Sequence, residues 1–289
     1  MAARTFPDCR GRLLMDGAMG TELLARGLST EPVTVLTTHA ADVAAIHRAY
    51  HEAGARMHVT ATFRLNPITL EATGEGMRLP RLAERAVLLA RRSVGPDDWV
   101  LAGIGPLYDP ETNEEILDLD VLHETAAAFG QADGILLETT SRLDALRAAA
   151  YLTHRVAEVA DLPVLLSVAY RKEGPGEYRT ATGHPPEVIA RHAAGHGVRV
   201  LGVGCGRDIG PDDLEEILRR YRQETDLPLL VRGNAGTPRR AGDGWAYPQT
   251  PEAFAAWGPH WLAAGATLLG GCCGTTPAHV AALAAAVAG

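Results

Sequence analysis

Eight short apolar runs, spaced at fairly even intervals along 289 residues, constrain the fold more than any other feature of the chain. They are Arg12–Met15, Met57–Thr60, Trp99–Ala102, Gly134–Leu137, Pro163–Val168, Val200–Val203, Pro228–Val231 and Thr267–Leu269. Each is nearly continuous in apolarity rather than alternating, as in strands covered on both faces. Helical patterns lie between them. Ala40–Gly54 places Val43, Ile46 and Tyr50 on one face. Leu82–Arg92, Val121–Gly130, Leu143–Val156, Pro186–Gly195, Asp212–Tyr221, Pro251–Ala263 and Pro277–Val287 repeat the pattern. Pro186 and Pro251 suit a first helical turn, and Asp212 and Asp213 sit where the helix dipole favours acids.

This alternation predicts an α/β fold: a single (β/α)8 TIM barrel with long βα loops, occupying residues 1–289 as one domain. A doubly wound sheet is the competitor. It usually has fewer repeats and needs a phosphate loop at its switch point. No G-x-G-x-x-G follows a strand here, and no G-x-x-x-x-G-K-[ST] occurs.

In a barrel, the loops after the strands build the active face. The first, Gly17–Thr38, is long, and the second, Ala61–Gly76, holds Phe63, Arg64 and Asn66. The fifth, Tyr170–Pro185, and the seventh, Arg232–Thr250, are rich in Gly and Pro. Loops of this length serve as lids, binding segments or plain surface decoration.

Charge narrows the partners. The net charge of −8 argues against nucleic acid or an anionic membrane, because phosphate binding needs a basic surface. The start lacks the apolar run of a signal peptide, and no stretch of about 18 uninterrupted apolar residues occurs. The expected location is therefore the reducing cytoplasm. There the four cysteines, too sparse for a disulfide scaffold, are thiols, catalytic groups or metal ligands. Lys172 is the one lysine, which makes Schiff-base chemistry an unpromising reading. The sequence carries no signal for an oligomeric state.

The cysteines divide on the eight-unit pattern. Cys205 follows strand six in VLGVGCG, and Cys272 and Cys273 follow strand eight in TLLGGCCG. These positions are two βα units apart, at roughly 30 residues per unit, so all three thiols project from one end of a barrel. Three thiolates suit Zn²⁺, and three protein ligands leave a fourth position for water or substrate. Zinc with three thiolates is a weak Lewis acid toward carbonyls, yet it stabilises an incoming substrate thiolate. The expected chemistry is attack by an activated substrate thiol on an electrophilic carbon. The plain alternative is three packed core cysteines. Cys9 precedes strand one, at the opposite end, and reads as a packed or surface thiol.

Several stretches resemble the homocysteine S-methyltransferase family. They are LLMDGAMGTELLARG at Leu13–Gly27, VTATFRLN at Val59–Asn66, AGIGPLYD at Ala102–Asp109, ILLETTSRLDALRAA at Ile135–Ala149, LGVGCG at Leu201–Gly206, NAGTP at Asn234–Pro238 and LLGGCCGTTPAHVAAL at Leu268–Leu283. The resemblance implies a zinc-dependent barrel that methylates the homocysteine sulfur to give methionine. It implies that Cys205, Cys272 and Cys273 are the zinc ligands. Asp16 and Gly17 match the region holding the amino-acid part of homocysteine, and Glu138 matches the acid that helps bind its amino group. A zwitterion needs acceptors for its ammonium and donors for its carboxylate. Asp16 and Glu138 offer the first, and backbone N–H groups around Gly17–Gly20 the second. Asn234 is a further substrate-binding candidate, with a turn role as its alternative.

Two positions depart from the family pattern. Gly204 stands where asparagine is more usual, and Arg232 stands where many members carry an aromatic or another residue. These changes bear on the fourth metal position, the donor pocket and the identity of the acceptor thiol. Family members draw methyl groups from S-methylmethionine, S-adenosylmethionine, betaine or, through cobalamin, methyltetrahydrofolate. The chain has no room for a second barrel and lacks the D-x-H-x-x-G signature of a cobalamin module. A small donor is therefore expected, S-methylmethionine or S-adenosylmethionine ahead of betaine. Trp245 and Tyr247 are candidates for caging a charged onium, with lid packing as the alternative. The competing functions are methylation of another thiol, the homocysteine-activating part of a methionine-synthase-like system, and a catalytically silent zinc-binding barrel.

Overall fold

A computed structural model of the chain describes residues 6–109, 111–142, 147, 149, 151–152, 162–242 and 244–288. Among them, eight parallel strands form one sheet. They are β1 (Leu13–Leu14), β2 (Met57–Val59), β3 (Trp99–Ile104), β4 (Gly134–Thr140), β5 (Val164–Val168), β6 (Val200–Gly204), β7 (Leu229–Gly233) and β8 (Ala266–Gly271). Each pairs with its sequence neighbour, and β8 pairs with β1 through Leu13↔Leu268 and Leu14↔Leu269. The ring closes between β1 and β2 at the bridge Met15↔Met57. There the Asp16 N–H donates to the Met57 carbonyl at 3.0 Å. All eight expected strands are present, and the barrel is the architecture found.

The strands exist because they are buried on both faces. Inward-facing Met15, Met57, Val59, Leu101, Leu136, Leu165, Val200, Leu230 and Leu268 fill the barrel as one cluster. Cys9 belongs to the same cluster, with Phe6 and Trp99 packed beside it edge to face. It is therefore a packed thiol at the end opposite the other cysteines, and burial pushes its pKa up to about 12. Outward-facing residues such as Val100, Ile135, Leu166 and Leu201 pack against the helices.

Most expected helices appear within a few residues of their expected bounds, including Ala40–Glu52, Leu79–Arg91 and Pro211–Glu224. Pro186 and Pro251 do start helices, and Asp213 accepts from the Gly210 N–H at the start of Pro211–Glu224. The single helix expected over Pro251–Ala263 is instead two, Pro251–Ala255 and Gly258–Ala263. Pro259 has no N–H to return to Ala255, so the first helix ends before it. The helix expected over Leu143–Val156 lies largely outside the described residues.

The long βα loops carry structure of their own. The first holds helices Gly20–Ala25 and Pro32–Thr37. The third, fifth and seventh fold into antiparallel hairpins, among them Arg171–Gly174 with Glu177–Arg179 and Arg239–Ala241 with Gly244–Ala246. The fifth-loop hairpin is strapped down by Lys172, which pairs with Asp213 at 2.7 Å, and by the Tyr178 hydroxyl, which donates to the same carboxylate. No helix of the described residues is long and apolar enough to cross a membrane.

Candidate active site at the barrel mouth

The three cysteines that follow β6 and β8 meet at the mouth. Cys205 Sγ lies 3.7 Å from Cys273 Sγ, and Cys272 Sγ lies 4.0 Å from Cys273 Sγ. All three sulfurs fall within 4.8 Å of one another. Two backbone features aim them. Cys205 itself has φ 49°, in the left-handed region, which costs a non-glycine residue on the order of 1 kcal/mol or more. The Cys272–Thr275 turn is tied to the first loop: Thr275 Oγ1 donates to the Cys272 carbonyl at 2.7 Å and accepts from the Ala18 N–H at 3.1 Å. The Tyr50 hydroxyl reaches both the Ala18 and Thr275 carbonyls. Such ties hold thiols from distant parts of the chain in one constellation.

These groups fit a soft metal ion. Cys273 is held down to about 3 by hydrogen bonds from Cys205 and Cys272. Cys272 is raised by its contacts with Cys205 and Cys273 and by burial. Three thiolates this close repel one another, so holding all three deprotonated needs a cation beside them. The Tyr247 hydroxyl donates to Cys273, and its ring occupies the space above Gly274, whose φ of 79° needs glycine. Tyr247 thus sits against the thiols, a placement that both a cage wall and lid packing would give. Trp245 does not join it: the ring is 59% exposed, with the Arg240 guanidinium 5.2 Å from its centroid.

Beside the thiols lies a charged cluster centred on Arg232, which is 5% exposed. Its Nη1 donates to Glu138 Oε2 at 2.6 Å and its Nη2 to Asp16 Oδ1 at 3.2 Å. Nη2 also faces the Gly17 carbonyl at 3.4 Å, and Nε donates to the Gly271 carbonyl at 3.1 Å. Glu138 is delivered by an irregularity in β4 between Leu137 and Thr140, where Thr139 takes φ 56°. Burial pushes both the Asp16 and Glu138 carboxyls up, against the pull of Arg232. Burial opposes the Arg232 charge as well, but its two carboxylates outweigh it and the guanidinium stays protonated.

Gly17 is packed so closely that a Cβ there would lie 2.6 Å from Thr275 Oγ1 and 2.8 Å from the Tyr50 ring. Of the N–H groups expected to meet a substrate carboxylate, that of Ala18 is already given to Thr275. Asn234 adjoins the dicysteine turn, since the next residue, Ala235, donates to the Cys273 carbonyl at 3.0 Å. Its Oδ1 is buried with no hydrogen-bond partner among the described residues. In the second loop, Asn66 caps helix Pro67–Glu71 by accepting from the Thr69 N–H at 2.9 Å, a structural role. Sequence reasoning missed the histidines under the pocket. Asp98 accepts from His51 at 2.6 Å and from His58 at 3.1 Å, and His47 is buried beside His58.

The family model described as homocysteine S-methyltransferase matches residues 13–287. The chain belongs to the homocysteine S-methyltransferase family. It is 30% identical to the homocysteine S-methyltransferase of Escherichia coli, over 97% of this chain and 96% of that one. It is 33% identical to the methionine synthase of Mycobacterium tuberculosis over 94% of this chain. The chain spans about a quarter (24%) of that protein's length. Among solved structures, the metallated form of the homocysteine methyltransferase MmuM from Escherichia coli superposes with a TM-score of 0.74 at 25% identity, covering 95% and 96% of the two chains. The oxidized form of MmuM gives 0.73 at 26% identity. Membership in the homocysteine S-methyltransferase family thus rests on nearly the whole barrel, including both loops that carry the thiols.

Proposed function

We propose that this chain is a zinc-dependent S-methyltransferase that moves a methyl group from a small donor to the thiol of homocysteine, giving methionine. One observation carries the reading: three thiols converge at the mouth of a homocysteine S-methyltransferase-family barrel, beside the buried Asp16 and the part-buried Glu138. Residues 1–289 act as one homocysteine-binding barrel in this reading. The setting is the reducing cytoplasm, since the thiols must stay reduced to work.

Cys205, Cys272 and Cys273 would hold the metal. Bound there, zinc supplies the charge that keeps a fourth sulfur as thiolate while leaving it electron-rich. Glu138 and Asp16 orient the amino-acid end of the acceptor, with Gly17 keeping the floor of the pocket low. Tyr247 covers the thiols from the seventh loop and offers a ring face to a sulfonium or ammonium donor. Asn234, with its unpartnered Oδ1, offers a buried acceptor near the reacting sulfur. In the transfer, the acceptor thiolate forms the new S–CH3 bond. The donor's bond to that methyl breaks, and its electron pair stays on the donor's sulfur or nitrogen. S-methylmethionine and S-adenosylmethionine are the favoured donors, and betaine is possible.

The experiment is a donor panel: labelled methyl from S-methylmethionine, S-adenosylmethionine or betaine, offered with homocysteine to the zinc-loaded protein. Labelled methionine supports the reading. Stoichiometric zinc with no methionine from any donor overturns it in favour of a silent zinc-binding barrel. The match to a methionine synthase over 24% of its length favours a second reading, in which the chain is the homocysteine-activating part of a larger methyl-transfer system. Methionine formed only when methyl-cobalamin replaces the small donors selects that reading.

A further inference from the structure

Arg232 changes what the acceptor pocket asks of its substrate. Two carboxylates at one end of a buried pocket call for an ammonium group. Here that call is already answered from within the chain: one guanidinium bridges Glu138 and Asp16 at 2.6 and 3.2 Å. The guanidinium is fixed from two further sides by the carbonyls of Gly17 and Gly271. Asp16 has its other oxygen committed as well, accepting from the Val59 N–H at 2.7 Å. The cluster of two acids and one arginine carries a formal charge of −1 rather than −2. A guanidinium has five N–H donors. The bonds above use four, which leaves one on Nη1 for an incoming oxygen.

We infer that Arg232 is a specificity-determining residue which makes the α-ammonium of the acceptor dispensable, so that the pocket accepts ω-thiol carboxylic acids lacking an amino group alongside homocysteine. The inference rests on the proposed placement of the acceptor's amino-acid end at Asp16 and Glu138. Its physical basis is the loss of contrast between acceptors. In a bare pair of buried acids, an ammonium relieves a repulsion that a desamino analogue leaves in place. With Arg232 between the acids, both analogues meet carboxylates already paired with a cation, and the free N–H adds an attraction for a carboxylate that both share. Arg232 pairs with Gly204 across β6 and β7, and a Cβ at 204 would lie 2.5 Å from the Arg232 carbonyl. That contact is with main chain, so it sets the spacing of the two strands whatever side chain stands at 232.

The test compares homocysteine with 4-mercaptobutanoate as acceptors. It also compares binding of the products, methionine and 4-(methylthio)butanoate, by titration calorimetry with no donor present. For the wild-type protein the expected gap within each pair is less than about tenfold, that is below about 1.4 kcal/mol. A larger gap in favour of the amino compound overturns the inference. In Arg232→Met the gap widens in favour of the amino compound, and an unchanged or narrowed gap overturns the inference. Should Arg232→Met not fold, Arg232→Gln serves the same comparison, and the wild-type ratio decides alone if neither folds. Absence of methyl transfer to either acceptor with every donor is a failure of the functional reading, and the product-binding ratio still tests Arg232.

Discussion

Gly204 and Arg232 are partners across β6 and β7, and the Arg232 carbonyl oxygen would stand 2.5 Å from any Cβ added at 204. That contact is with main chain, so no side-chain rotation relieves it. Gly204→Ala is expected to destabilise the barrel by about 1–3 kcal/mol, the usual range for overpacking a close-packed site. Because the clash is with the carbonyl, Arg232→Met does not rescue it. Urea unfolding of the two single variants and the double variant checks both statements, and recovery of stability in the double would place the clash on the arginine side chain.

The barrel was legible in the sequence because its strands are buried on both faces, which leaves an uninterrupted apolar run at every turn of the βα cycle. The hairpins on the active face were not. Arg239–Ala241 is wholly exposed and Arg171–Gly174 reads RKEG, so neither has an apolar period to detect. The three thiols were legible because strand ends in a barrel share one rim. The Arg232 bridge was not, since its partners lie 94 and 216 residues away and no local pattern links them. The break before Gly258–Ala263 was foreshadowed by Pro259, whose consequence for the helix was not drawn from the sequence.

The thiol trio predicts a metal phenotype. Cys272→Ala is expected to drop bound zinc from about one per chain to near zero. Methyl transfer should fall by at least the about 10–100-fold that changes to mere supporting residues cause. Elemental analysis of the purified protein and the methionine assay check this. A Cys272→Ala protein that keeps both zinc and activity removes the proposed chemistry.

Tyr247 and Gly274 form one lock over the thiols. A side chain at 274 meets the Tyr247 ring directly, and the residue's φ of 79° is one that L side chains rarely adopt. Gly274→Ala is expected to cost about 1–3 kcal/mol and to push the ring off Cys273. Tyr247→Phe keeps the ring and removes only the hydroxyl. It should therefore leave stability within about 0.5–1.5 kcal/mol of wild type, the net worth of one hydrogen bond. Thermal unfolding of the two variants reads the contrast, and equal stability of Gly274→Ala with wild type would show that the loop opens freely.

His47 predicts an acid limb of stability. The ring is fully buried, neither nitrogen has a hydrogen-bond partner among the described residues, and burial followed by the nearby His58 drives its pKa down to about 3. Between that value and the ordinary 6.5, the unfolded chain binds a proton on His47 that the folded chain excludes. Stability therefore rises with pH across the window and is lost as pH falls below about 6.5, by about 1.4 kcal/mol per unit for this group. His47→Leu removes the proton-binding difference and strands no hydrogen-bond partner. Its stability at about pH 5 should exceed that of wild type by about 2 kcal/mol more than it does at about pH 7. Urea unfolding of both proteins at the two pH values measures the difference, and parallel pH dependence in wild type and variant would assign the acid sensitivity to other groups.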